Sequence, residues 1–270
     1  MAQVDVTLAD VTACWDRITR ALIEIVDRAA PTSTPAIVWT RPSGELVADV
    51  ELRIDIELRA ALARLAPGLP VLSEEMGRLD PAKATPGSDL VAVLDPIDGT
   101  RSLIEQTDAW HCSLAICERG KPKLGLVYQP GHRATYDSAH TKTTHVVANN
   151  GGVVALSASA IQATPELVAR LKAVHLQPTP VAHAVEKIVS ILDGRADAVI
   201  APARISHPFY AWDIAAAAII AEAHGLILRS ASGAALDLGD LQQPLYTGWI
   251  CARDEHTWTQ LRQALEVPAA

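Results

Sequence analysis

The sequence lacks several patterns that would assign it to a familiar class of protein. Its four cysteines form no CxxC pair and no zinc-ligand spacing, so buried, reduced thiols are expected. No run of lysine or arginine occurs, and 23 basic against 31 acidic residues give a formal net charge of −8. Because binding to a nucleic-acid backbone needs clustered positive charge, a nucleic-acid polymer is not an expected partner.

Long apolar segments and two common catalytic patterns are also missing. The longest apolar run, from about Ile214 to Ala221, is too short to span a bilayer, and the first residues lack a signal-peptide pattern. We therefore expect a cytoplasmic protein with no membrane partner. Neither HExxH nor a glycine-rich or GK[ST] phosphate loop occurs. The 270 residues are 49% hydrophobic, enough for one large core or two fused smaller ones.

Hydrophobic spacing predicts two helices in the first part of the chain. Thr7 and Asp10 have the pattern of a capping box before the first helix, and Pro31 ends it. The apolar face of that helix consists of Val11, Trp15, Ile18, Leu22 and Ile25. The face of the second consists of Leu46, Val50, Ile54, Leu58, Leu62 and Leu65. The Pro-, Thr- and Ser-rich segment 31–44 predicts a loop or short hairpin between them.

Further along, short strands are followed by alternating strands and helices. Strands are predicted at 71–73, 90–94, 113–117, 123–128, 134–138, 153–156, 196–201, 226–228 and 248–251, and helices at 164–172, 183–192, 212–223 and 254–266. The polar stretch 140–152 predicts a boundary. Residues 1–145 are expected to form an N-terminal α+β subdomain and residues 146–270 a C-terminal α/β subdomain, in one compact unit with the active site between them.

Three acidic segments are candidates for chemistry: Ser73-Glu74-Glu75, Asp95-Pro96-Ile97-Asp98-Gly99-Thr100 and Trp212-Asp213. Each alone has an ordinary explanation as a solvated edge, a turn or a helix cap. The middle segment is more specific, because an apolar strand delivers Asp95 from the interior and Asp98 follows three residues later. Gly99 permits a positive φ, and Thr100 can begin a helix whose free N–H groups suit a phosphate. Converging carboxylates favour Mg²⁺ over zinc.

In this order and in these contexts, the motifs SEE, DPIDGT and WDIAAA resemble those of the inositol monophosphatase superfamily. The resemblance implies a layered α-β-α-β-α sandwich of the inositol monophosphatase/fructose-1,6-bisphosphatase type. It also implies a lithium-sensitive phosphomonoesterase that acts on a small phosphorylated metabolite. Two or three Mg²⁺ ions, with Mn²⁺ as a substitute, are the implied cofactors. A monomer and a homodimer are both compatible with the sequence.

The resemblance assigns a role to each matching residue. Glu74, Asp95 and the Ile97 carbonyl would bind one metal, and Asp95, Asp98 and Asp213 a second. The N–H groups of Gly99 and Thr100 would hold the phosphate, while the Thr100 hydroxyl and Glu74 would position and deprotonate the attacking water.

The sequence departs from the family pattern upstream of these motifs. Ala48 and Glu51 stand where the family usually has threonine and aspartate, and Arg41 stands where lysine is common. Glu51 is expected to approach a third metal or to accept a proton through Thr100, although its extra methylene moves the carboxylate by roughly an ångström. Asp49 is the alternative if the register shifts.

The substrate is less strongly determined. The segments LPVLSEE, LDPIDGTRSLI and ERGKPKLGLVYQP are more similar to the 3′(2′),5′-bisphosphate nucleotidase branch than to the inositol branch. Lys187 and the GRADA segment after it also match that branch, whereas His183 and Ala184 replace its Gly-Ser pair and Ser157-Ala158-Ser159 lacks its arginine. We expect hydrolysis of 3′-phosphoadenosine 5′-phosphate to AMP and phosphate, with Lys187 and His183 at the substrate.

Two alternatives remain at this point. The first is an inositol-1-monophosphatase or a related sugar-phosphate phosphatase. The second is a catalytically degenerate protein that binds metal or phosphate, and Ala48 and Glu51 motivate it. Among the aromatic residues, Trp15, Trp212 and Trp258 are expected in the core, whereas Trp39 could either contact substrate or anchor its loop. His207 is a further residue that could face the cleft.

Overall fold

The computed structural model describes residues 6–30, 37–41, 44, 46–76, 78–79, 89–141, 151–203 and 208–266, with only the backbone at 78–79 and 266. The helices are α1 (Leu8–Ala13), α2 (Trp15–Ala29), α3 (Asp49–Leu65), α4 (Thr100–Ile104), α5 (Ala158–Ala163), α6 (Pro165–Ala173), α7 (Ala184–Leu192), α8 (Ala211–Ala223) and α9 (Glu255–Glu266). The strands are β1 (Val38–Thr40), β2 (Leu46–Ala48), β3 (Val71–Ser73), β4 (Arg78–Leu79), β5 (Leu90–Asp98), β6 (His111–Glu118), β7 (Lys121–Gln129), β8 (Ala134–Asp137), β9 (Val153–Leu156), β10 (Gln177–Pro180), β11 (Ala198–Ala201), β12 (Ile227–Ser230) and β13 (Trp249–Ala252).

Two large sheets carry the fold. One is six-stranded with the order β4-β3-β5-β6-β7-β8, and the other is five-stranded with the order β10-β9-β11-β13-β12. Strands β1 and β2 form a separate antiparallel hairpin. In the six-stranded sheet β3 runs parallel to β5, whereas β5, β6, β7 and β8 pair antiparallel in sequence.

The two faces of the six-stranded sheet pack against different helices, because side chains alternate along a strand. Leu94 and Leu114 belong to a core cluster with α1, α2 and α3, whereas Val93 and Ala115 belong to a second cluster with α7, α8 and the five-stranded sheet. A third cluster places α5, α6 and α9 on the outer face of the five-stranded sheet. The layers therefore follow the order α-β-α-β-α, which confirms the predicted sandwich.

The carboxyl ends of β3 and β5, in the six-stranded sheet, bring two of the acidic motifs together. Because these strands are parallel, their carboxyl ends meet, and the Glu74 N–H donates to the Leu94 carbonyl at 3.1 Å. The pairing of β5 with β6 shifts register between Asp95 and Asp98, so the strand is irregular there. Gly99 then turns the chain into α4 with φ of 108°.

Several sequence-based boundaries were wrong in detail. Leu46 lies in β2, so the second helix begins only at Asp49, where the Ala48 N–H is capped by the Glu51 carboxylate. The first helix is interrupted at Cys14. Strands β4 and β10 were not predicted. The proposed subdomain boundary between 145 and 146 lies outside the described residues.

Two composition-based expectations concern the interior and the membrane. All four cysteines are buried free thiols, which confirms the structural interpretation of them. None of the helices in the described part of the chain has the length and apolar character needed to cross a bilayer.

Candidate active site

Four carboxyl groups from three parts of the chain converge near the carboxyl ends of β3 and β5 in the six-stranded sheet. Glu74 follows β3, Asp95 and Asp98 lie in β5, and Asp213 lies in the first turn of α8. Asp95 is 1% exposed and Asp98 is 9% exposed. The charges of Glu74, Asp98 and Asp213 all act on Asp95, which places the four groups in one electrostatic unit.

The crowding of negative charge changes the acidity of this cluster. Burial raises the pKa of Asp95 well above its ordinary value, and the charges of Glu74, Asp98 and Asp213 raise it further. Removal from water likewise raises the pKa of Glu74, with Asp213 the next cause. Such a cluster favours binding of a cation, since a bound divalent ion offsets the repulsion between the carboxylates.

Each carboxylate also has a local partner. The Ile97 N–H donates to Asp95 at 2.9 Å, the Val185 N–H to Asp98 at 3.0 Å, and the Tyr210 N–H to Asp213 at 2.6 Å. Within the described ranges, no group of three or more His, Cys, Asp or Glu side chains is placed so that it could hold a metal ion. Each backbone contact uses one oxygen of a two-oxygen group, and the all-oxygen donor set matches the ligands that Mg²⁺ prefers. The residues therefore fit this cofactor by chemistry.

Glu51 and Thr100 form a buried pair at the other side of the cluster. The Thr100 hydroxyl donates to Glu51 Oε1, and the Ala48 N–H donates to Oε2 at 2.5 Å. Burial raises the pKa of Glu51 to about 7, although both hydrogen bonds act to lower it. Asp49, the alternative residue, instead accepts a hydrogen bond from the Ile37 N–H at 3.1 Å. The structure thus brings Glu51, rather than Asp49, to Thr100.

The turn at Gly99 is packed against an imidazole. A Cβ atom at Gly99 would lie 2.8 Å from Cδ2 and 2.9 Å from Nε2 of His183. His183 Nε2 also lies 2.8 Å from Ser102 Oγ, and burial lowers the pKa of this histidine. His183 therefore contacts the segment predicted to bind phosphate.

Lys187 lies on α7 near this turn and is 3% exposed. Its ammonium group donates to the carbonyls of Ala182 and His183 at 2.8 and 3.1 Å. These contacts hold the turn that precedes α7. Binding of substrate phosphate by Lys187 stays a prediction.

Comparison with protein families identifies the family of this chain. The model described as the inositol monophosphatase family matches residues 7–264. The chain belongs to the inositol monophosphatase family. Members of this family are metal-dependent phosphoric monoester hydrolases, and the metal is typically Mg²⁺.

Individual relatives within the family differ in how much of the chain they match. The 3′(2′),5′-bisphosphate nucleotidase CysQ of Shigella flexneri is 29% identical over 128 residues, 45% of this chain and 47% of that protein. The match thus spans about half the length of that relative. Inositol-1-monophosphatase SuhB of Mycobacterium tuberculosis (strain ATCC 25618 / H37Rv) is 29% identical over 251 residues, 85% of this chain and 84% of that protein.

Solved structures of the family share the fold at lower identity. The extragenic suppressor protein suhB from Bartonella henselae superimposes with a TM-score of 0.73 at 16% identity, covering 97% of this chain and 100% of that one. At this identity the likeness concerns the fold alone.

The structure adds residues that sequence reasoning did not assign. Glu75, part of the SEE motif, binds Arg41 at 2.8 Å, and the Arg41 guanidinium lies 3.9 Å from Glu74. Beneath α7, His111 Nε2 lies 3.1 Å from a carboxylate oxygen of Glu186. A charged residue inside the apolar helix VEKIVSIL was the signal that could have found Glu186.

The sequence left open whether His207 and Trp39 face the substrate. His207 lies outside the described residues. Trp39 is 40% exposed on β1, two residues before Arg41. Trp15 and Trp212 are buried, as expected, whereas Trp258 is partly exposed beneath the Arg229 guanidinium, which lies 4.5 Å from its ring centroid.

Proposed function

We propose that this chain is a Mg²⁺-dependent phosphomonoesterase that acts on 3′(2′),5′-bisphosphate nucleotides. In this proposal it converts 3′-phosphoadenosine 5′-phosphate and water to AMP and phosphate. The observation that carries the hydrolase part is the Glu51–Thr100 pair beside the carboxylate cluster. The nucleotide part is supported by the CysQ relative and by the branch-specific segments, with Lys187 among them.

The cofactor would be held by the carboxylate cluster. Glu74, Asp95, Asp98 and Asp213, with the Ile97 carbonyl, are the proposed ligands of two or three Mg²⁺ ions. When bound, Mg²⁺ supplies charge neutralisation for the phosphoryl group and lowers the pKa of water.

The remaining steps belong to the protein's own groups. The Gly99 and Thr100 N–H groups, at the start of α4, would bind the phosphoryl oxygens. Because the Thr100 hydroxyl gives its hydrogen to Glu51, its lone pairs can accept a hydrogen bond from the attacking water and orient it. Glu74 and Glu51 are the proposed acceptors of the water proton. The new O–P bond forms as the ester O–P bond breaks, and the departing oxygen takes up a proton from solvent water.

A second candidate function has one specific observation in its favour. The match to inositol-1-monophosphatase SuhB extends over 84% of that protein, whereas the match to CysQ extends over 47% of its own. An inositol or other sugar phosphate is therefore the alternative substrate class. The chemistry at the phosphorus atom would be the same.

Phosphate release from a small panel tests the proposal. The substrates are 3′-phosphoadenosine 5′-phosphate, inositol 1-phosphate and fructose 1,6-bisphosphate, each with Mg²⁺, with EDTA and with added lithium. We expect the highest kcat/KM with the nucleotide, no release in EDTA and inhibition by lithium. Preference for inositol 1-phosphate would replace the nucleotide assignment. Metal binding with no release from any substrate would instead favour a degenerate binding protein.

A further inference from the structure

The two faces of the six-stranded sheet divide the proposed site into a water side and a leaving-group side. Glu51 begins α3, which packs on one face. Asp213 begins α8, which packs on the other. In an in-line displacement, the leaving group lies opposite the attacking water. If Glu51 and Thr100 orient the water, the rest of the substrate extends toward the start of α8.

An aromatic stack lies at that position. The rings of Tyr210 and Trp212 are 4.6 Å apart between centroids and differ by only 7° in plane. Trp212 is 7% exposed, whereas Tyr210 is partly exposed and forms the outer ring of the pair. The Tyr210 N–H donates to the Asp213 carboxylate at 2.6 Å, so the residue is tied to a proposed metal ligand.

We infer that the Tyr210 ring is the surface on which the planar base of the substrate stacks, which makes Tyr210 a specificity-determining residue. Trp212 supports the ring from beneath and fixes its orientation, so little side-chain freedom is lost when a base binds. Any base offers a π-face to such a ring, whereas inositol does not. The inference rests on the proposed nucleotide substrate and explains how the site would prefer it.

Trp39 is the competing aromatic residue. It is 40% exposed on β1, two residues before Arg41, whose guanidinium binds Glu75. The β1–β2 hairpin leads directly into α3, because β2 ends at Ala48 and α3 begins at Asp49. Trp39 therefore lies on the water side, which makes it a suitable comparison for Tyr210.

The test compares the wild type with Tyr210→Ala, Tyr210→Phe and Trp39→Ala. Binding of AMP and of inorganic phosphate is measured by calorimetry in Mg²⁺, and KM and kcat are measured for the nucleotide and for inositol 1-phosphate. In Tyr210→Ala we expect Kd for AMP and KM for the nucleotide to rise about tenfold. Phosphate binding and the kinetics with inositol 1-phosphate should stay within about twofold. Tyr210→Phe should behave as the wild type, and so should Trp39→Ala.

Several outcomes would overturn this inference. Equal losses for AMP and phosphate in Tyr210→Ala would show that the ring only supports α8. Loss of AMP binding in Trp39→Ala alone would place the base on the water side. If the wild type hydrolyses the nucleotide and Tyr210→Ala leaves Kd for AMP and KM for the nucleotide unchanged, the role of Tyr210 is rejected and the proposed substrate is not. A wild type that does not hydrolyse the nucleotide rejects the proposed substrate and, with it, the inference.

Discussion

At the scale of single residues, Glu51 shows most directly how position changes chemistry. The residue is 3% exposed, and its carboxyl group lies between the Thr100 hydroxyl and the Ala48 N–H. Burial outweighs these two donors and raises the pKa to about 7. A carboxyl group with a pKa near neutrality is well matched to accepting a proton at physiological pH.

Replacing Glu51 by glutamine tests this environment through stability. In the metal-free protein, folded Glu51 keeps its proton up to a pH of about 7, whereas the unfolded chain loses it near 4.5. The raised pKa therefore lowers the free energy of unfolding as pH rises through this window. In Glu51→Gln the amide oxygen can accept from the Ala48 N–H, and the NH2 group can donate to the Thr100 oxygen if the hydroxyl reverses its role. From pH 5 to pH 8 the free energy of unfolding of this variant should rise by about 2 kcal/mol relative to that of the wild type.

Urea unfolding in EDTA at the two pH values measures this difference. Glu57→Gln is the matched control, because Glu57 lies on the same helix with its side chain 43% exposed. The control should show no such change with pH. An equal offset between Glu51→Gln and the wild type at both pH values would contradict the assigned environment.

The sequence identifies most of the candidate residues but few of their contacts. The acidic motifs could be found because they follow predicted strands, and the structure brings them together. The proximity of His183 to Gly99 could not be found, since it depends on how α7 packs against the turn after β5. The burial of Glu186 beside His111 likewise depends on tertiary packing.

At the scale of elements, the junction between β5 and α4 is the most constrained part of the site. Gly99 has φ of 108°, where side chains are disfavoured, and the His183 ring occupies the space that a Cβ would need. Helix α7 is tied to the same junction because the Val185 N–H donates to Asp98. The turn and the helix therefore hold each other in place.

Alanine substitution separates backbone strain from this contact. Gly225 is the matched control, because its φ is +74° and no atom lies within 4 Å of an added Cβ. Gly225→Ala should cost about 1 kcal/mol of unfolding free energy, from the backbone alone. Gly99→Ala should cost about 1–3 kcal/mol more, because the added Cβ overlaps His183.

The double variant Gly99→Ala/His183→Ala completes the comparison in urea unfolding. If the overlap is responsible, removing the ring should recover most of the extra loss, and the two changes should not be additive. Equal costs at Gly99 and Gly225, or additive effects in the double variant, would show that the ring does not constrain the turn.

Helices α7, α8 and α9 were predicted to within one residue at each end. Short elements were harder. Strand β10, of sequence QPTP, has two prolines and no apolar alternation, and its pairing with β9 is what makes it a strand. Leu46 continues the apolar spacing of α3 but lies in β2, since the hairpin pairing and the cap at Ala48 start the helix later.

At the scale of the whole molecule, the layered fold explains why the site draws on distant parts of the chain. The six-stranded sheet separates α3 from α7 and α8, and the N-terminal ends of these helices lie near the carboxyl ends of β3 and β5. Glu51 therefore approaches from one face and His183 and Asp213 from the other. A substrate bound there would contact both groups of helices.

The motif resemblance was sufficient to predict this architecture, because the three acidic motifs occur in the order and next to the predicted strands and helix on which the resemblance rests. It could not determine the substrate. The groups that would contact the substrate beyond its phosphate, such as His183 and Tyr210, lie outside the shared motifs. Their effect depends on packing that only the folded chain displays.

The central claim is that the carboxylate cluster makes this protein a Mg²⁺-dependent phosphatase. The most direct measurement is phosphate release against Mg²⁺ concentration for the wild type, Asp95→Asn and the control Asp89→Asn, whose residue has a side chain 54% exposed. The account predicts Mg²⁺-dependent release by the wild type and control, and at least about a hundredfold loss in folded Asp95→Asn, because a charge that balances the metal is removed. Release that is indifferent to Mg²⁺, or wild-type turnover by Asp95→Asn, would contradict it.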